Sequence, residues 1–201
     1  FLYYTYNFLS LLSFIMRFLI GNNSCPFVVD IVNIIKDLDI EFECILYSQV
    51  QYNKLSSFDS IILSGRKKYN KETNIQNNKI IEYCDNHNVP LLGICYGAEM
   101  INLYFGGSLI KMNNAIYGLV QVTSKKDNVL LPKNASIFVY QSHRYSIWRL
   151  SSELELLGSS TESKNEIFKH KKKNIFGLQF HPERSGKDGR FILFKFCTLL
   201  N

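Results

Sequence analysis

Val89-Pro90-Leu91-Leu92-Gly93-Ile94-Cys95-Tyr96-Gly97-Ala98-Glu99-Met100 is the stretch that decides the fold. An apolar run long enough for one buried strand meets a helical pattern with almost no connecting chain. Small residues on both sides of Cys95 permit a sharp strand-to-helix bend, which holds that side chain outward. The helix then directs its N-terminal amides and positive dipole end toward the sulfur. A thiol so placed tends toward the thiolate, the nucleophilic form.

A second segment, Gly177-Leu178-Gln179-Phe180-His181-Pro182-Glu183, supplies a histidine able to take the thiol proton and a glutamate able to orient the histidine. Histidine is the residue type that titrates nearest neutral pH, and Pro182 stiffens the link to Glu183. A third segment, Ile61-Ile62-Leu63-Ser64-Gly65, is a short apolar run that closes on a serine and a glycine. Together and in this order, the three segments resemble the class I (triad-type) glutamine amidotransferases, from about Met16 to the C-terminus. The family's nucleophile motif is Gly-x-Cys-x-Gly, and its His-x-Glu segment follows a Gly-x-Gln-Phe-like strand.

Working outward, Arg17–Ile20 reads as a short buried strand ending at Gly21-Asn22-Asn23-Ser24, a turn cluster. Phe27 to Leu38 has apolar residues at 27, 28, 31, 32, 34, 35 and 38, which is helical spacing. Glu41–Tyr47 and Ser60–Leu63 are further strands. Lys71–His87 is an outer helix with a thin apolar stripe, and Ala98–Phe105 a helix stopped by Gly106-Gly107. This alternation predicts an α/β fold: a mostly parallel open sheet with helices on both faces. After Gly107 the runs Ser108–Lys111, Leu119–Thr123, Ile137–Tyr140, Leu154–Leu157, Glu166–His170 and Ile175–Phe180 predict added antiparallel hairpins. Arg190–Leu200 closes the chain as an amphipathic helix. The resemblance implies the flavodoxin-like sheet of the family.

At 201 residues and 23.4 kDa, with 46% apolar and 20% charged residues, the chain suits one globular domain. A domain spanning residues 16–201 is expected. Phe1–Ile15 is apolar and uncharged, yet shorter than the roughly 20 residues needed to span a bilayer, and it lacks a charged start and a small-residue cleavage site. Met16-Arg-Phe-Leu-Ile-Gly21 fits the family's first strand, so residues 1–15 are read as a non-native or disordered extension. The net charge of +6 is read as solvated surface, because no aromatic-interleaved basic stripe or nucleic-acid motif accompanies it. The run Lys169-His170-Lys171-Lys172-Lys173 is read as a solvated hairpin tip, and His87 and His170 as surface residues. Five scattered cysteines show no disulfide framework and no metal-ligand spacing. Cys25, Cys44, Cys84 and Cys197 are read as small core or surface residues rather than reactive ones. A free reactive thiol requires a reducing compartment, which points to the cytoplasm.

The resemblance implies roles residue by residue. Cys95 attacks the side-chain amide of glutamine, His181 acts as base and then acid, and Glu183 holds the imidazole. The oxyanion receives the backbone N–H groups of Tyr96 and Arg66. Relatives commonly read Gly-Gly-Pro or Asn-Gly-Pro in that second loop, whereas this chain reads Gly65-Arg66-Lys67-Lys68. Relatives usually carry glutamine two residues after the motif's last glycine, where this chain has Glu99, a residue that only accepts hydrogen bonds when ionised. Gly65, Glu99, Ser142, His143, Arg144 and Tyr145 are the expected substrate-binding residues, the last four at the end of a strand. The Ser142-His143 pair resembles the amidotransferase unit of GMP synthases. Anthranilate and aminodeoxychorismate synthase subunits, and γ-glutamyl hydrolases, remain alternatives. No cofactor, metal, nucleic acid or membrane is expected; the expected partners are glutamine and a separate synthetase subunit.

Overall fold

The computed structural model describes residues 16–199, so the expectation for residues 1–15 lies outside the described residues. The first half alternates as the apolar runs require. It runs β1 (Arg17–Asn22), α1 (Val28–Asp37), β2 (Glu41–Leu46), β3 (Ser60–Leu63), α2 (Lys71–His87), β4 (Leu91–Ile94) and α3 (Tyr96–Tyr104). The second half adds β5 (Ser108–Ser124), β6 (Ser136–Arg149), β7 (Leu154–Ser159), β8 (Ile167–His170), β9 (Ile175–Leu178) and α4 (Gly186–Cys197). Among the described residues the nine strands form one sheet, ordered β2-β1-β3-β4-β9-β8-β7-β5-β6. The β2-β1-β3-β4-β9 part is parallel and the rest antiparallel.

Parallel strands covered on both faces must be apolar on both, which is why β3 and β4 carry unbroken apolar runs and are buried throughout. Alternate residues of each strand feed opposite layers. On one face Phe18, Ile20, Ile62, Leu92, Phe176 and Leu178 pack with Ile31 and Ile35 of α1 and Ile192 and Phe196 of α4. On the other, Leu19, Ile61, Leu63, Leu91 and Ile175 pack with Ile80 and Ile81 of α2 and Ala98 and Ile101 of α3. The helix α2 starts on Asn70, whose side chain accepts the Glu72 N–H at 2.8 Å, and ends on Asn88 in the left-handed conformation. No helix among the described residues is long and apolar enough to cross a membrane.

Four sequence expectations shift. The runs at 108–111 and 119–123 are one strand, β5, whose register with β6 breaks between Lys111 and Ile116. Twelve cross-strand partners then carry both strands past the places where the apolar pattern weakens. Gln141 to Tyr145 therefore lies inside β6, not at a strand end. The last helix begins at Gly186 rather than Arg190. Its first turn is tied to the sheet by polar contacts: Asp188 accepts the Phe138 N–H and Ser185 Oγ accepts that of Tyr140. His170 is buried rather than exposed; its Nδ1 accepts the N–H groups of Lys172 and Lys173, both at 3.1 Å, and fixes the β8–β9 turn.

Candidate active site

Sheet order places four chain segments side by side at the carboxyl ends of the parallel strands: those after β1, β3, β4 and β9. The order reverses between β1, which leads through α1 to β2, and β3, which leads toward β4. Open α/β sheets place ligands at such a switch point. Cys95 follows β4, with its N–H donating to Leu178 O at 2.7 Å and its C=O accepting from Glu99 N at 3.0 Å. It takes φ 50° and ψ −104°, a left-handed conformation that a non-glycine residue holds only when its surroundings force it. The flanking glycines make the bend possible. A Cβ on Gly93 would stand 2.5 Å from the Gly97 carbonyl carbon, and one on Gly97 would stand 2.5 Å from Leu63 O.

Beside the elbow, His181 Nδ1 lies 2.7 Å from Glu183 Oε1, and both side chains are buried. Each end of the His181 backbone is tied. Its N–H donates to Tyr140 O at 2.9 Å, and its C=O accepts from Ser185 Oγ at 2.6 Å. Phe27 presses edge-on against the imidazole with centroids 4.9 Å apart. Gly65, from the loop after β3, completes the floor. A Cβ there would come within 2.9 Å of His181 Cε1, 3.3 Å of Cys25 Sγ and 3.6 Å of Cys95 Cβ. Cys95, His181, Glu183 and Gly65 thus converge.

The thiol is not the ready thiolate expected from its helix terminus. Cys95 is 6% exposed, and burial pushes its pKa well above the usual range, with the Glu99, Cys25 and Glu183 charges adding to this and the Tyr96 N–H opposing it. A helix terminus contributes at most about 2 kcal/mol, whereas full burial shifts a pKa by up to roughly 3–5 units. Burial wins, so the resting sulfur keeps its proton.

Arg66 and Tyr96 pack on each other with the guanidinium 3.8 Å from the ring centroid. Glu99 is buried against Gln179, whose Nε2 donates to its Oε1 at 3.3 Å, and burial raises its pKa to about 7. Ser142, Arg144 and Tyr145 lie on β6, with Arg144 and Tyr145 exposed and Ser142 half-buried. His143 instead points inward. Its Nδ1 lies 2.7 Å from Tyr145 O and its Nε2 2.8 Å from Gln141 Oε1, and burial lowers its pKa to about 4.

Gln141 Nε2 in turn donates to both oxygens of the Glu166 carboxyl, each at 2.9 Å, and burial raises the Glu166 pKa to about 7. The Gln141–Glu166 pair, Gln179, Cys25 and Phe27 are neighbours of the site that sequence reasoning did not assign to it. Gln179 stands within a quoted motif and Gln141 directly before Ser142, but only packing reveals what their amides hold. Nothing in the spacing of Cys25 signals its position.

The family model for class-I glutamine amidotransferases matches residues 21–200. The glutamine-hydrolysing GMP synthase subunit of Thermoplasma volcanium is 32% identical over 152 residues, covering 75% of this chain and 74% of that protein. Its counterpart from Methanococcus vannielii is 31% identical over 182 residues, covering 89% and 94%. A crystal structure of a putative GMP synthase subunit from Thermoplasma acidophilum superposes with a TM-score of 0.81 at 27% identity, covering 90% of this chain and 92% of that one. A glutamine amidotransferase from Thermotoga maritima, at 20% identity and a TM-score of 0.73, shares the fold; the match covers 92% of this chain and 84% of that one.

Proposed function

This chain belongs to the class I glutamine amidotransferases, and we propose that it is the glutamine-hydrolysing subunit of a GMP synthase, delivering ammonia to a separate synthetase subunit. The convergence of the strained Cys95 with the His181–Glu183 pair carries this reading. His181 takes the Cys95 proton as the sulfur attacks the side-chain amide carbon of glutamine. The tetrahedral oxyanion is held by the N–H groups of Tyr96 and Arg66. The C–N bond then breaks, His181 returns its proton to the departing nitrogen, and ammonia leaves a γ-glutamyl thioester on Cys95. Water, deprotonated by His181, cleaves the thioester to glutamate, and the thiol regains its proton. Because burial keeps the resting thiol protonated, the transfer to His181 and the attack on substrate belong to one event.

Gly65, Glu99, Ser142, His143, Arg144 and Tyr145 are proposed to shape the glutamine site. Arg144 is exposed for a carboxylate, while His143 serves through the backbone it fixes. Residues 16–201 are read as one domain, a reading supported by the extent of the family match. The requirement for a reduced thiol supports a cytoplasmic setting. Exposed Lys67, Lys68 and Arg144 form a basic rim for an acidic face of the synthetase.

The test is glutamate release by the purified chain, alone and with the synthetase, ATP and xanthylate. Glutamine-dependent formation of the aminated nucleotide, lost in Cys95→Ala, supports the assignment. Coupling only to a chorismate-using enzyme would replace the acceptor, and an absence of glutamate release would overturn the reaction.

A further inference from the structure

Among the described residues, Cys25 is a buried thiol at the site that the proposed reaction does not use. It leaves β1 through the Asn22-Asn23-Ser24 turn and comes to rest beside His181 and Glu183, which follow β9 at the far side of β3 and β4. One ligating atom from each of the three, a sulfur, a ring nitrogen and a carboxylate oxygen, all lie within 4.8 Å of one another. Their exposures are 5%, 3% and 7%. Glu183 adds an independent sign. Its Oε1 is occupied by His181 Nδ1, whereas its Oε2 is buried without a hydrogen-bond partner among the described residues. A buried carboxylate oxygen left without a partner is destabilising. An arriving cation satisfies it.

We propose that Cys25, His181 and Glu183 bind a thiophilic divalent cation of the zinc type, and that this cation reversibly blocks the chemistry at Cys95. The donor set selects the ion. Sulfur, imidazole nitrogen and carboxylate oxygen together suit Zn2+, whereas Mg2+ and Ca2+ prefer oxygen alone. Bond lengths of about 2.0–2.3 Å place tetrahedral ligands roughly 3.4–3.8 Å apart. Donors already within 4.8 Å reach that spacing through small side-chain rotations. Charge also balances. A thiolate, a carboxylate and a neutral imidazole carry two negative charges, which a divalent ion cancels, so the buried site holds no net charge.

Burial and the Glu183 charge keep the Cys25 thiol protonated at rest, its pKa pushed up to about 11. Metal binding therefore releases that proton to solvent. Three protein ligands leave a fourth position for water or for Cys95, whose Cβ borders the same gap at Gly65 as the Cys25 sulfur. The metal site does not depend on the proposed reaction; its inhibitory consequence does. An imidazole bound to metal is no longer free to take the Cys95 proton.

Co2+ titrated into the metal-free full chain is the probe. The expected result is a thiolate-to-cobalt charge-transfer band in the near ultraviolet, with visible bands of a tetrahedral ion, bleached by Zn2+. Cys25→Ser and Cys25→Ala lose the thiolate band and weaken Zn2+ binding by at least the roughly 10–100-fold that an outer-shell change brings. Cys95→Ser keeps the band. Absence of the band in the wild type, or a band kept by the Cys25 variants and lost in Cys95→Ser, overturns the proposal. If neither Cys25 variant folds, peptide mapping of Cys95→Ser decides: Zn2+ must slow alkylation of Cys25, and an unchanged rate overturns the site. Zn2+ should also inhibit glutamate release by the wild type at concentrations at least about ten times lower than those needed for Cys25→Ser. Cobalt binding at Cys25 in a chain that hydrolyses no glutamine would support the metal site and refute the reaction.

Discussion

The guanidinium of Arg66 lies over Tyr96, 3.8 Å from the ring centroid, and both residues reach the same side-chain oxygen of Asn74. Arg66 Nη1 donates to Asn74 Oδ1 at 2.7 Å, and the Tyr96 hydroxyl donates to the same oxygen at 2.8 Å. A loop, the first residue of α3 and the helix α2 are thereby clasped together over the elbow. The Arg66 side chain thus holds the proposed oxyanion loop in place.

Replacing Arg66 should loosen that clasp. The cation–π contact and the hydrogen bond together contribute about 1–3 kcal/mol. Arg66→Gly should therefore melt a few degrees below the wild type. The loop would also gain the freedom to turn its N–H toward the oxyanion without help. The isolated wild type is expected to be a slow glutaminase that the synthetase accelerates, and Arg66→Gly to respond less. Glutamate release with and without the partner measures both, and a wild type fully active alone contradicts the idea.

Cys95→Ala and Cys95→Gly should each abolish glutamine hydrolysis, for want of a nucleophile. Their stabilities should differ in an instructive sense. At φ 50°, alanine keeps the backbone strain of order 1–3 kcal/mol that glycine relieves. Cys95→Gly should be at least as stable as Cys95→Ala although it buries less, as urea titration will show. A clearly less stable glycine variant would mean that the elbow stores no strain.

Gly93→Ala should be far more damaging than its size suggests. The new methyl group would meet the Gly97 carbonyl carbon at 2.5 Å and Ala98 N at 2.6 Å, backbone atoms that cannot move without lifting α3 from the sheet. Overpacking of this kind costs about 1–3 kcal/mol and occasionally more. Loss of activity with a melting temperature lowered by several degrees is expected, and a fully active, wild-type-like variant would refute this account of the motif.

Burial raises the pKa values of Glu99 and Glu166 from 4.5 to about 7. Between those values the folded chain holds protons that the unfolded chain has released, so stability falls as pH rises from about 4.5 to about 7. At about 1.4 kcal/mol per pKa unit, each residue contributes on the order of 3 kcal/mol to that fall. Glu99→Gln and Glu166→Gln should each flatten the slope, lying near the wild type at about pH 5 and above it at about pH 8. Denaturant melts at the two pH values measure it, and a slope unchanged in both variants would show that neither carboxyl retains its proton.

Legibility followed the range over which each feature is encoded. The parallel strands β3 and β4 were readable because burial on both faces demands unbroken apolar runs. The helix α2 was readable to the residue, from Lys71 to His87, because Asn70 caps one end and Asn88 turns the other. The long hairpin of β5 and β6 was not, since cross-strand pairing sustains Tyr117-Gly118 against Gln141-Ser142 in strands whose own sequences do not ask for it.

The sequence by itself determined the elbow. Gly93-Ile94-Cys95-Tyr96-Gly97 encodes its geometry within five residues, through two positions where only a missing side chain lets helix return upon strand. It also joined Glu183 to His181 through a single proline. Only the tertiary structure decided that the Cys95 sulfur rests protonated, because desolvation depends on everything packed around it. Only the tertiary structure brought Cys25 to the imidazole, because the segments that follow β1 and β9 meet across Gly65, over the ends of the two strands that lie between them.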